Sequence, residues 1–457
     1  MTAFKLSLIL LVIYSVLLLP KIKFNNEVKF SGDAWQYQSM AVNFAAGQGL
    51  MKMGAVQGDY RQIYKFSDEV KTIDQPNLSF FISLGEKDGE YNFYRAPGYI
   101  VFLGTIYKLF GVNPAAVKNI QMLLIIFVAA FLPYIGWHFW KNSGIMAGVL
   151  AGIFFLKEYA RSVPRDLAIS YPGDIMAEPL IAFSLLIWIL AFIFWQKRPK
   201  AIRAIGLGAI TGLCLLIKGT NIFLPLLTGV YLWRKKTGLT TFIFGLVLTI
   251  LPWSVYASTT SGKIIIISTQ AETALLDNNN EYALDGGWHP EGYSLDNPDA
   301  FYSQPEIKSL PLPQKLLAFY LAYPRLIPMM ISEKIRLGFG GFFYLTYSLI
   351  LIAASIIPRL WLPASAGIIY LFFHPDLFNI SRPLFRIDLL LLTTTALVAA
   401  KRKLDLPASL MILFLNYLLL AVIVLGWPRL NQVIDFVFML VFFRYLLNSV
   451  KIFSHAD

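Results

Sequence analysis

Several short stretches of this sequence carry side chains able to do acid–base or anion-binding chemistry, and each has an ordinary structural use beside the chemical one. In SGDAWQY, Asp33 opens the segment after the first apolar run. A carboxylate there can take a proton from an acceptor hydroxyl, or it can cap the short helix read from MAVNFAAGQG, which glycine closes; the two uses are compatible. In YRAPGY, Arg95 stands just before Pro97, a residue suited to a helix start. That leaves a guanidinium at the level of the lipid headgroups, where its paired donors suit a phosphate or simply anchor the helix at the interface. In YPGDIMAEPL, Asp174 and Glu178 stand four apart, a spacing that puts both carboxylates on one face of the first turns of a helix over 175–195. Acids there are also favoured by the helix dipole alone, and the sequence does not choose which of the two acts.

Lys218 and Gly219 interrupt the otherwise continuous apolar stretch LCLLIKGTNIFLPLL. A lysine between two apolar helices, with no acidic neighbour in the sequence, invites an anion, or it is loop charge. In LPWSVYASTTSGKIIIISTQ, Pro252 and Trp253 end a helix at the interface, and the β-branched run Ile264 to Ile267 is expected to form a strand. Trp253 by itself is an ordinary interfacial aromatic, and so are Trp35, Tyr37 and Tyr99, which can also stack on a sugar. The histidines His138, His289, His374 and His455 lack ligand spacing, and the one cysteine, Cys214, allows neither an intrachain disulfide nor a cysteine metal site. No structural metal is expected.

The elements that must position these residues are membrane helices. Hydrophobic residues make up 57% of the chain and charged ones 14%, against about 25% charged in soluble proteins. Mean hydropathy is +0.60. Apolar runs at 5–20, 118–140, 175–195, 203–217, 220–233, 238–256, 341–357, 360–374, 385–400, 405–425 and 432–448 approach the ~20 residues needed to cross ~30 Å of hydrocarbon. The run 5–20 lacks a small-x-small exit and reads as a retained helix rather than a cleaved signal.

The net charge of +12 is not a nucleic-acid footprint, because the basic residues sit in clusters between apolar runs, at Lys197 to Arg203, Arg234 to Lys236 and Lys401 to Lys403. If 143–157 spans and 97–111 lies along the interface, Lys141 and all these clusters share one face, the cytoplasmic one. Lys21, Lys23 and Lys29 pull the other way. The loops 21–95 and 257–315 then face outward, and their aromatics and turn residues suggest that they are ordered.

Taken in order, Asp33, RAPGY, EPL, LIKG and LPW resemble the bacterial branch of the GT-C superfamily of membrane glycosyltransferases, whose relatives include the aminoarabinose transferases of lipid A and, more remotely, the protein O-mannosyltransferases of family 39. The likeness runs from about residue 1 to residue 340. Beyond it, HPDLFNISRPLFRID and GWPRLNQVID only loosely follow the family's late outer loops.

The resemblance implies an all-α polytopic membrane protein of the GT-C fold, with about 12 transmembrane helices and interfacial helices in the first outer loop. A catalytic module would occupy 1–340, with outer loops 21–117 and 257–340, and C-terminal transmembrane helices would fill 341–457. It implies that Asp33 is the first-loop acid, Arg95 the basic residue before the interfacial helix, Glu178 the acid of the second outer site and Lys218 the phosphate-contacting lysine. Two departures stand out: Ala34 where relatives often have a second acid, and Arg95 where many have lysine.

The expected activity is inverting transfer of a sugar from a polyprenyl-phosphate donor to a hydroxyl on a glycan, glycolipid or protein, at the outer face of the plasma membrane. Asp33 would act as base, Glu178 or Asp174 would organise the acceptor or a transient cation, Lys218 and Arg95 would hold the donor phosphate, and Tyr37, Tyr99 and Trp253 would line the substrate. No cofactor is required, although a divalent cation is compatible with the chemistry. A transporter or flippase of lipid-linked saccharides is the alternative; it would show related halves and charges near the midplane, neither of which is evident here.

Overall fold

The computed structural model describes residues 2–21, 33–47, 49–50, 91–160, 174–285, 297, 299–338, 407–424 and 433–449. The expected runs 341–357, 360–374 and 385–400 lie outside the described residues, as does most of the first long loop. In chain order the helices of eight or more residues are α1 (Ala3–Leu18), α2 (Asp33–Ala45), α3 (Pro97–Phe110), α4 (Pro114–Ala160), α5 (Glu178–Lys197), α6 (Ala201–Ile217), α7 (Leu224–Arg234), α8 (Leu239–Ser261), α9 (Gln270–Asp277), α10 (Leu312–Ala322), α11 (Leu326–Gly338), α12 (Ala408–Leu419) and α13 (Asp435–Ser449). No strand occurs among the described residues.

Among the described residues, three stretches are long and apolar enough to cross a membrane: 114–157 within α4, then α5 and α8. Their outer faces carry the same message. On α8, Phe244, Leu248, Leu251 and Val255 recur at helical spacing and are all exposed, a stripe that water would penalise and hydrocarbon would not. The helices are therefore compatible with a membrane protein.

The chain forms two compact units, one of Met1–Ile9, Ala129–Phe155 and Ala274–Asp457, the other of Leu10–Val128 and Leu156–Thr273. In the first, α4 breaks at Trp140 and Lys141, where Lys141 takes φ 51°, and the chain doubles back on itself. The arms pack through glycine: a Cβ on Gly136 would fall 2.0 Å from the Gly144 carbonyl oxygen, and one on Gly152 2.6 Å from that of Ala129. Larger residues would hold the arms apart. Further along, Leu276, Phe301, Tyr302, Phe319 and Met330 form an apolar cluster beside a buried polar one built on Asn279.

In the second unit α2 packs along α3, and α5, α6 and α8 form the bundle that carries the site. Trp188 on α5 donates its indole N–H to Thr211 Oγ1 on α6 at 3.0 Å, so this contact between apolar helices is also a satisfied polar one.

Sequence expectation and structure part at four places. Pro252 and Trp253 do not end a helix, because α8 continues past them to Ser261 and closes at the left-handed Gly262. The run 220–233 was expected to span, but a 3₁₀ turn over Gly219–Asn221 takes up its start, held by Asn221 Nδ2 donating to the Cys214 carbonyl at 3.1 Å. Helix α7 has only 11 residues, about 16 Å against the ~30 Å of a bilayer core. The run Ile264 to Ile267 is no strand, because its carbonyls are taken by side chains of α8: Trp253 Nε1 donates to Ile267, Ser254 Oγ to Ile266 and Ser258 Oγ to Ile265. Finally, α5 begins at Glu178, so Asp174 precedes the helix and does not share a helix face with Glu178. Proline has no N–H and fits a first turn without losing a helical hydrogen bond, and Pro179 is the second residue of α5.

Candidate functional site

Two carboxylate–cation pairs form at the ends of these helices. Asp33 is the first residue of α2, and Arg95 lies two residues before α3. Arg95 donates through Nη2 to Asp33 Oδ1 and through Nε to Gln36 Oε1 at 2.6 Å. Gln36 is one turn beyond Asp33, so a single helix face grips the guanidinium. The group also lies over the rings of Tyr37 and Tyr94, 5.5 and 5.0 Å from their centroids. Burial opposes its charge, but Asp33 together with Tyr37 and Tyr94 outweighs that cost, and the Arg95 pKa is raised. Its Nη1 has no acceptor. The two N–H groups of that nitrogen, on a buried cation, are left to offer.

The second pair joins α5 to α6. Glu178 opens α5 and Lys218 follows the last residue of α6, so the antiparallel packing of the two helices brings these ends together. Lys218 Nζ donates to Glu178 Oε1 at 2.7 Å, with the side chains only 7% and 1% exposed. The lysine that has no acidic neighbour in the sequence has one in space, across a helix interface.

Tyrosines connect these groups. Tyr37 and Tyr99 meet edge to face with centroids 4.8 Å apart. Tyr99 donates to Gln121 Oε1 at 2.5 Å, and Gln121 Nε2 donates to the backbone carbonyl of Asp174 at 2.7 Å. Burial first, then Tyr107, Tyr37, Glu178 and Asp174, hold the Tyr99 hydroxyl well above its ordinary pKa, so it stays a proton donor. Tyr37 and Tyr99 are 2% and 0% exposed and act as internal supports of this chain of contacts.

Gly98 brings the halves of the site together. A Cβ there would lie 2.8 Å from the Leu216 carbonyl oxygen and 2.9 Å from Ile217 Cα. The first turn of α3, just after Arg95, thus presses on the last turn of α6, just before Lys218. Beside this contact opens an apolar groove of about 690 Å³ whose walls include Pro97, Gly98, Leu180, Phe183, Ile217 and Trp253. Trp253 is held by its bond to Ile267 and by Phe93, ring centroids 5.8 Å apart.

The structure therefore gathers Asp33 with Arg95 and Glu178 with Lys218, places Trp253 in the groove wall, and fixes Asp174 by its backbone. Sequence reasoning missed Gln36, Gln121 and the glycine of RAPGY. Gln36 had a signal, its position one turn after Asp33; Gln121 had none, since its partners are remote in the chain. Among the described residues no group of three or more His, Cys, Asp or Glu is placed to hold a metal ion. Chemically, the arrangement holds two buried cations and two carboxylates close in the chain to residues of an apolar groove wall, Pro97, Gly98, Leu180 and Ile217. The sequence has no match among protein-family models, curated proteins or solved structures.

Proposed function

We propose that this protein is an inverting glycosyltransferase that moves a sugar from a polyprenyl-phosphate donor to a hydroxyl acceptor at the outer surface of the membrane. The observation that carries the reading is the placement of Arg95 and Lys218, two buried cations each held by a carboxylate, around the Gly98 contact that borders the apolar groove. A polyprenyl chain has the chemistry of the groove, and its phosphate has the chemistry of the cations.

Buried cations need counter-charge, and Asp33 and Glu178 provide it. On this reading the donor phosphate takes over part of that role: it accepts from Arg95, beginning with the unused Nη1, and from Lys218. Asp33 is then released toward the acceptor. The acceptor hydroxyl passes its proton to Asp33, its oxygen bonds to the anomeric carbon on the side opposite the phosphate, and the sugar–phosphate C–O bond breaks. The electron pair departs on polyprenyl phosphate, whose charge the two cations hold. Attack from the opposite side inverts the anomeric configuration. Glu178, or Asp174, orders the acceptor side.

Radiolabelled sugar transfer in membranes, with a panel of polyprenyl-phosphate sugars, tests the proposal on the wild type and on Asp33→Asn and Lys218→Ala. Transfer supported by one donor and lost in both variants supports it. Normal transfer by both folded variants overturns the site. Donor movement across the bilayer with no transfer favours a flippase.

A further inference from the structure

At the other end of the α5–α8 bundle, about 30 Å along the 20-residue α5 from Glu178, a second cavity of about 780 Å³ opens between the starts of α6 and α8 and the end of α7. Its walls include Lys200, Arg234, Lys236, Gly238 and Thr240. The chain contains no Asp or Glu from Pro179 to Ala271, so no nearby stretch of sequence supplies a carboxylate to this end of the bundle.

Basic residues at helix ends are common in membrane proteins, and a solvated belt would account for the charge alone. Three further features describe a built pocket. Both α6 and α8 start at the cavity, and neither Lys200 nor Gly238, their N-cap residues, makes a side-chain cap. First-turn N–H groups are thus left without side-chain acceptors where two helix dipoles are positive. The turn into α8 is left-handed at both Lys236 (φ 53°) and Gly238 (φ 73°), a strained arrangement for a lysine. Trp233, 67% exposed, stands at the same wall as an interfacial aromatic.

We propose that this cavity binds the phosphate of an anionic phospholipid headgroup. Lys200, Arg234 and Lys236 supply the charge, the open N-termini of α6 and α8 supply donors, and the exposed ring of Trp233 supplies apolar surface for the acyl chains of the same molecule. The site stands apart from the Asp33–Arg95 and Glu178–Lys218 pairs and does not depend on what reaction they perform.

The test is titration of the detergent-solubilised full chain with phosphatidylglycerol or phosphatidylcholine, read by native mass spectrometry. Phosphatidylglycerol should be retained selectively. R234Q/K236Q should weaken that retention about tenfold or more, while R198Q/K235Q, which removes the same charge from the same end but outside the cavity wall, should weaken it much less. Equal loss in the two double variants would reduce the site to surface charge and overturn the proposal, as would equal retention of the two lipids. Displacement of phosphatidylglycerol by inorganic phosphate at constant ionic strength would overturn the lipid in favour of a soluble anion. Circular dichroism confirms that each variant is folded.

Discussion

Lys218 Nζ lies 2.7 Å from Glu178 Oε1 at a place where both side chains are almost wholly out of solvent. Removing one charge from such a pair leaves the other exposed to the full cost of burial. Glu178→Gln should therefore destabilise the protein by about 3–5 kcal/mol, seen as a lower unfolding midpoint in detergent. The double variant Glu178→Gln with Lys218→Met should recover most of that stability and none of the sugar transfer. Recovery of transfer along with stability would show that the pair is structural only.

Gly98 should tolerate no side chain. Gly98→Ala drives a methyl group toward the backbone of Leu216 and Ile217, at a cost of about 1–3 kcal/mol, and it pushes α3 off α6. Gly206, which also lies on α6 but has nothing within 4 Å of its missing Cβ, is the control; Gly206→Ala should be neutral or gain about 0.5–1 kcal/mol. Thermal unfolding of the two variants side by side checks the contrast. Transfer by Gly98→Ala should fall even below its unfolding temperature.

Arg95→Lys keeps the charge but loses the fork that reaches Asp33 and Gln36 at once. The expected result is a rise of about tenfold in KM for the lipid donor, with a smaller loss of stability than in Arg95→Ala. Steady-state transfer against donor concentration measures it. Equal KM for the wild type and Arg95→Lys would mean that the guanidinium does not meet the phosphate.

Lys334 on α11 predicts a pH dependence of stability. The side chain is 1% exposed, and its amine donates to Asn279 Oδ1 at 2.6 Å. Burial lowers its pKa from 10.5 to about 7. Between about pH 7 and 10.5 the unfolded chain therefore binds a proton that the folded chain does not, and stability from this group rises with pH across that window. Below about 7 both states are protonated, and the burial cost is present in full. Asn279 Oδ1 also accepts from the Tyr320 hydroxyl at 2.9 Å, so Lys334→Met strands no acceptor. The variant should melt higher than the wild type at pH 7, with the gap closing toward pH 9.5. A constant gap would rule out titration of this amine in the window.

Hydropathy, basic clusters, prolines and glycines act within a few residues, and they placed α3, α5 and α6, which begin and end within a few residues of the runs read from the chain. Local rules also failed locally. The isoleucine run after α8 looks like a strand, but hydroxyls and an indole from that helix take its carbonyls; α5 starts past Asp174, at Glu178; and the turn held by Asn221 cut α7 short. What no local rule contains is the pairing of Asp33 with Arg95, 62 residues apart, and of Glu178 with Lys218, 40 apart. Each candidate residue was visible by type, but its partner was not. A buried charge is stable only with an opposite charge beside it, and which charge stands beside it depends on which helix ends meet. Here the close approach of Gly98 to α6 and the antiparallel packing of α5 on α6 made that choice.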